Sequence, residues 1–108
     1  MMRLFGLLTL TLALVAPPVS VRADDAAMAL GKKVFLEISS PQCALCHTLA
    51  DAGASGAVGP VLDELKPTTD RVRTAVTKGI GPMPPNSSLT PEQVEAVALY
   101  VSRVAGGK

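Results

Sequence analysis

Tryptophan is absent from this 108-residue chain, and its aromatic complement stops at two phenylalanines and one tyrosine. There is one histidine, and there are only two cysteines. No apolar stretch approaches the about 20 residues that a membrane-spanning helix needs. Charge of neither sign dominates, with ten Lys and Arg against nine Asp and Glu and a formal net charge of +1. That balance excludes the basic surface by which proteins hold nucleic acid or anionic lipid. A chain this short also has little apolar area to bury, because the buried fraction falls with domain size. Something other than its own side chains is needed to fill the middle.

The N-terminus reads MMRLFGLLTLTLALVAPPVSVRADD. Arg3 supplies a basic start, Leu4 to Ala16 an apolar run, Pro17 and Pro18 a break, and Val21-Arg22-Ala23 small residues two positions apart. This is the layout of a secretory signal with cleavage after Ala23, so residues 1–23 are expected to leave and the protein to work in the periplasm. The apolar run is too short for a membrane span. No span is therefore expected in the mature form. Loss of Arg3 and Arg22 puts the acidic residues slightly in excess, and the remaining aromatic residues are Phe35 and Tyr100.

The mature chain reads as mostly helical. Ala27, Leu30, Gly31, Val34, Phe35 and Ile38 recur at steps of three and four, which marks one face of a helix over residues 24–38. Asp24 and Asp25 are placed to cap it. A second helix is expected in TTDRVRTAVTKG, with Thr69 or Asp70 as cap, Val72, Ala75 and Val76 inward, and Gly79 as the stop. Arg71, Arg73 and Lys78 then fall on its solvated side. The clearest helix follows Leu89: Thr90 as N-cap, Pro91 in the first turn and Gln93 completing a capping box. Its inward stripe is Val94, Val97, Ala98, Val101 and Val104, and Gly106-Gly107 end it. Residues 52–60, all small or Pro apart from Val58, read as a loop, and no segment alternates with period two.

Both cysteines and the histidine fall within five residues, Cys43-Ala44-Leu45-Cys46-His47. A disulfide between Cys43 and Cys46 would close a very small loop and restrain the unfolded chain little. A thioredoxin-type redox pair belongs in a βαβ pattern, which is missing. A tetrahedral zinc site needs a fourth ligand, and no further Cys or His exists. The remaining reading is Cys-x-x-Cys-His as a site of covalent haem attachment, both thiols adding to the vinyl groups of one porphyrin and His47 ligating the iron. A haem would also be the missing core. Of the methionines beyond the leader, Met28 lies among apolar helix positions as ordinary packing. Met83 stands in a rigid Gly- and Pro-rich loop, KGIGPMPPNSS, and is the expected second axial ligand.

These residues resemble a family. CALCH at 43–47, VGP at 58–60, GPMPP at 81–85 and a closing helix with Leu99-Tyr100 look like a small class I bacterial cytochrome c over essentially the whole mature chain. The resemblance implies an all-α fold: a monohaem domain at 24–108, three to four helices wrapped around one covalently attached haem, and crossing terminal helices. Gly31 with Phe35, and Leu99 with Tyr100, match the crossing positions. Pro60 matches the proline whose carbonyl orients the proximal imidazole, so the cofactor-binding set is Cys43, Cys46, His47, Pro60 and Met83. A tryptophan that many members hold near the haem propionates has no counterpart.

With His47 and Met83 both on the iron, the implied role is a one-electron carrier and not an enzyme. A haem peroxidase or gas sensor with a displaceable sixth ligand is the alternative. More narrowly, residues 43–67 are similar to the monohaem cytochrome that accepts electrons from bacterial sulfite dehydrogenases. That similarity implies a molybdenum sulfite dehydrogenase as donor and another cytochrome or a terminal oxidase as acceptor. Docking is expected on the uncharged rim of Ala44, Leu45, Ile80, Pro82 and Pro84, with Arg71, Arg73 and Lys78 able to bias orientation.

Overall fold

The computed structural model describes residues 6, 9–16 and 19–107. Residues 9–16 form neither helix nor strand and are exposed. Helix α1 (Val19–Lys33) runs directly into a π-helical turn, Val34–Ile38. Then come α2 (Cys43–Cys46), strand β1 (Thr48–Leu49), a 3₁₀ turn (Ala50–Ala52), strand β2 (Ala54–Ser55), α3 (Leu62–Leu65), α4 (Thr69–Lys78) and α5 (Pro91–Val104). The fold is thus mostly helical, as expected, with two short helices beyond the three long ones.

The start of α1 differs from the expectation. The helix begins at Val19, and Asp24 and Asp25 lie inside it instead of capping it. No Gly or Pro separates Val19 from Asp24, so nothing in the chain stops the helix from extending upstream. Asp24 is turned to another use, pairing with Arg103 of α5 at 3.4 Å. The inward face holds: Gly31, Val34 and Phe35 are buried, and Ala27, Leu30 and Ile38 are half-buried.

The α1–α5 crossing depends on Gly31. A Cβ at this position would lie 2.2 Å from the Ala96 carbonyl oxygen and 2.5 Å from the Tyr100 Cβ. The two backbones approach as closely as they do because residue 31 has no side chain. Just beyond, Phe35 and Tyr100 meet edge to face, with centroids 6.3 Å apart and an interplanar angle of 62°. The Tyr100 hydroxyl donates to Asp51 Oδ2 at 2.6 Å, tying α5 to the 3₁₀ turn, and Lys32 Nζ approaches the same carboxylate at 3.6 Å. Burial, with the neighbouring carboxylate second, pushes the Tyr100 phenol well above its ordinary pKa. Gly31→Ala should therefore force the helices apart. Overpacking costs about 1–3 kcal/mol, so thermal unfolding followed by circular dichroism should show a midpoint lower by at least about 4 °C. An unchanged midpoint would mean that the crossing tolerates a methyl group.

Helix α4 is capped by Thr68, not by Thr69 or Asp70: Thr68 Oγ1 accepts from the Arg71 amide at 3.2 Å. Thr69 is occupied elsewhere, its hydroxyl 2.8 Å from that of buried Ser102 on α5. Val76 is buried and Val72 and Ala75 half-buried, as expected, and Gly79 ends the helix at φ +74°. Arg73 is not simply solvated. It forms a two-pronged ion pair with Glu95 of α5, at 2.6 and 2.8 Å, and a further pair with Asp70. Arg73 holds the Glu95 carboxyl below the usual range.

Helix α5 carries the capping box as expected, with Gln93 N donating to Thr90 Oγ1 and Thr90 N to Gln93 Oε1. Val94, Val97, Ala98 and Val101 are buried along it, and Val104 is half-buried. The stretch read as loop from residue 52 includes one strand of a small antiparallel ribbon, Thr48 opposite Ser55 and Leu49 opposite Ala54. Two-residue strands are too short for a period-two pattern to appear in a sequence. No helix among the described residues is long and apolar enough to cross a membrane.

Candidate functional site

The single turn of α2 places Cys43 and Cys46, three residues apart, on the same side of the helix. The turn is closed by His47 N donating to Cys43 O at 3.0 Å and Leu45 N to Gln42 O at 3.1 Å. From its start, the Cys43 amide donates to Ser39 Oγ at 3.1 Å, and the same hydroxyl lies 3.3 Å from Cys43 Sγ. Burial pushes the Cys43 thiol pKa up, and the Ser39 hydroxyl pulls it partly back. Both cysteines are unbridged.

After Cys46 the backbone turns extended at His47, which carries the imidazole away from the helix. His47 Nδ1 lies 2.8 Å from the Pro60 carbonyl oxygen. A carbonyl can only accept, so Nδ1 carries the proton toward Pro60, and in the neutral ring this leaves the Nε2 lone pair free for a metal. Gly59 makes room for this arrangement, since a Cβ there would sit 2.5 Å from the ring Cε1. Its amide donates to Cys46 O at 2.7 Å, so the 59–60 segment is stitched to the cysteine turn across the intervening loop.

Met83 is held just as firmly. Ile80 and Met83 exchange both backbone hydrogen bonds, at 2.9 and 3.0 Å. Asn86 N donates to Val76 O at 2.8 Å and anchors the loop to α4. Gly79 is required here by its positive φ and because a Cβ would press to 2.7 Å on the Met83 carbonyl oxygen. Met83 is half-buried against the core.

All five expected residues, Cys43, Cys46, His47, Pro60 and Met83, line one cavity of about 440 Å³. Met28 does not line it and packs on the core instead. The inner wall is apolar, built from Phe35, Leu62, Val72, Val76, Val97 and Val101. The other polar groups on the lining are Gln42, Arg71 and Asn86. Arg71, which the sequence places on a solvated face, therefore also borders the cavity. Among the described residues it has no ion-pair partner, unlike Arg73.

Several features of the site were not legible beforehand. Ser39 is one, since a serine in a Ser-Ser-Pro stretch carries no sign of what it bonds. Val58 and Leu65 are others: with Leu45 and Ile80 they complete the set of large apolar side chains exposed beyond residue 16, and Val58, Leu65 and Ile80 all border the cavity. No group of three or more His, Cys, Asp or Glu residues that could hold a metal ion by themselves exists among the described residues.

A haem fits the donor set. The walls are apolar, two thiols stand on one helical turn, the imidazole has a committed tautomer, and a thioether lines the same cavity. Comparison with known proteins agrees. Residues 26–101 match the family model described as cytochrome C oxidase, cbb3-type, subunit III. Among solved structures, the c-type cytochrome SorU from Sinorhizobium meliloti is 69% identical, with a TM-score of 0.75, over 77% of this chain and 95% of that one. Comparison with curated proteins finds no match. On fold, cavity and these similarities together, the chain belongs to the c-type cytochromes, haem proteins that transfer electrons and are not enzymes.

Proposed function

We propose that the protein is a periplasmic one-electron carrier whose haem is held by thioethers to Cys43 and Cys46 and ligated by His47 and Met83. The observation that carries this reading is the convergence of those four side chains on a single, otherwise apolar cavity. When bound, the haem supplies a one-electron couple between ferric and ferrous iron. The chain's own residues do the rest. Pro60 fixes the His47 ring and strengthens it as a donor through the Nδ1–H bond. Met83 would ligate the iron, and its hydrogen-bonded loop would oppose displacement by dioxygen or peroxide. Phe35, Val76, Val97 and Val101 exclude water, which with a thioether ligand favours the reduced state. Arg71 can supply positive charge to the carboxylates that a haem brings.

Export with removal of residues 1–23 is part of the same reading. The described leader residues support it: Leu10, Leu12, Leu14 and Val15 are each at least 83% exposed. For the donor we propose a sulfite dehydrogenase. The similarity of residues 43–67 to the acceptor cytochrome of such enzymes supports this. Contact would be through the apolar rim, where Leu45 is 63% and Ile80 57% exposed. Arg73 is already neutralised by Glu95 and Asp70, so it contributes little long-range steering. Stopped-flow reduction by a sulfite dehydrogenase should accordingly slow at least about tenfold on Leu45→Asp, the effect of about 1.4 kcal/mol lost at an apolar contact, and much less on Lys78→Ala. A rate that collapses between low and moderate salt would show that charge governs the encounter. Absence of sulfite-dependent reduction would remove this donor and leave the carrier role standing.

A further inference from the structure

The two cysteines of the attachment turn are not held alike. Cys43 is gripped by Ser39, a residue only 2% exposed. The Ser39 hydroxyl oxygen accepts from the Cys43 amide at 3.1 Å. Because an accepting oxygen still has its own hydrogen to give, the 3.3 Å contact to Sγ can be an O–H donating to sulfur. One buried hydroxyl thus bonds both the backbone and the side chain of the same residue, fixing the Cys43 side-chain rotamer at the cavity edge. Cys46 has no side-chain hydrogen bond among the described residues. Ser39 itself is fixed, its amide donating to Val34 O at 3.1 Å at the end of the π-helical turn. The buried serine thereby couples the register of the first helix to the sulfur.

We propose that Ser39 is a positioning residue for covalent haem attachment and acts selectively at Cys43. The inference rests on the haem reading above. In attachment the Cys43 S–H bond breaks and an S–C bond forms to one carbon of a haem vinyl group. The hydrogen ends on the other vinyl carbon, so no electrons are gained or lost. Sulfur can reach the vinyl carbon only from a narrow set of rotamers, and a preset rotamer raises the fraction of encounters that react. In the finished thioether the sulfur keeps lone pairs, so the Ser39 hydroxyl can go on donating to it. Nothing comparable holds Cys46, which must find its vinyl group after the first bond or through the attachment machinery alone.

The test is to express the full chain with a c-type haem attachment system and to score each thioether separately. Peptide mass spectrometry reports the sulfur that carries the haem. The absorption of the reduced pyridine complex reports one unreacted vinyl group as a shift to longer wavelength. In Ser39→Ala the fraction of protein with a Cys43 thioether should fall at least about threefold while the Cys46 thioether persists, and Ser39→Thr, which keeps the hydroxyl, should recover it. Complete attachment at Cys43 in Ser39→Ala overturns the proposal, as does an equal loss at both cysteines. Should Ser39→Ala not accumulate, the comparison moves to a Cys43→Ala background, where attachment is through Cys46 alone. There Ser39→Ala should leave the haem content per folded protein unchanged. A further loss there would mean that Ser39 serves folding in general, and would overturn the proposal too. Wild-type protein without covalent haem would instead remove the haem reading, an outcome distinct from all of these.

Discussion

Replacing Cys43 and Cys46 together by alanine is expected to abolish the haem stain that the wild-type protein keeps through denaturing electrophoresis, and to leave a chain that barely folds. The first effect follows from the proposed thioethers, which would survive loss of the fold as ligand bonds do not. The second follows from the cavity. Without haem the apolar inner wall of this cavity of about 440 Å³ is left facing water, and apolar surface left exposed costs about 25 cal/mol per Å². Total stabilities are only about 5–15 kcal/mol, so leaving that wall wet removes a large share of what holds the fold together. The walls cannot close it cheaply, since Phe35, Val97 and Val101 are already committed to the α1–α5 packing. Far-ultraviolet circular dichroism should therefore show most of the helical signal lost in the double variant and retained in wild type. Loss of all haem from wild type on denaturation would defeat the attachment reading. A fully helical, cooperatively melting double variant would show that the helices are stable without a filling.

Met83→Ala is expected to remove the weak far-red absorption of the oxidised protein, the signature of sulfur bound to ferric iron, and to open the site to added ligands. With Met83 as the proposed ligand, an incoming imidazole or cyanide would have to displace a thioether whose residue is bracketed by two backbone hydrogen bonds to Ile80. At about 1 kcal/mol each, breaking both adds about 2 kcal/mol, so the variant should bind imidazole roughly 30-fold more tightly. The reduction potential should fall as well, because a thioether favours the ferrous form. Spectral titration and potentiometry measure the two effects independently. If Met83→Ala keeps the band and Met28→Ala loses it, the sixth ligand is Met28, and the cavity lining has been misread as a ligand set.

The attachment motif and the caps of α5 were legible because their interactions span five residues or fewer. Cys43, Cys46 and His47 are bound into one turn by the chain itself, and Thr90 meets Gln93 whatever the rest of the fold does. The α1 start was not legible for the opposite reason. Nothing local marks Asp24 as the boundary, and Asp24 has a partner in Arg103 at the far end of the chain. Thr69 and Thr68 show the same limit at closer range. Both are good capping residues, and the choice between them is made by Ser102, 33 positions away.

From its own residues the sequence determined a small helical domain with too little core, one Cys-x-x-Cys-His turn, one sulfur in a rigid loop and a secretory leader pattern. Each of these is a matter of composition or of spacing within a few residues, where chain connectivity already brings the groups together. The tertiary structure brings Pro60 to His47, as the family resemblance implied, and only it decided that Gly59 clears the space for the ring. It likewise closed the loop that carries Met83 onto the same cavity, where the sequence expected it. Those outcomes depend on how loops of ten to forty residues close around a common centre. The closure is directed by the α1–α5 crossing at Gly31 and by the apolar wall, and no local pattern encodes it.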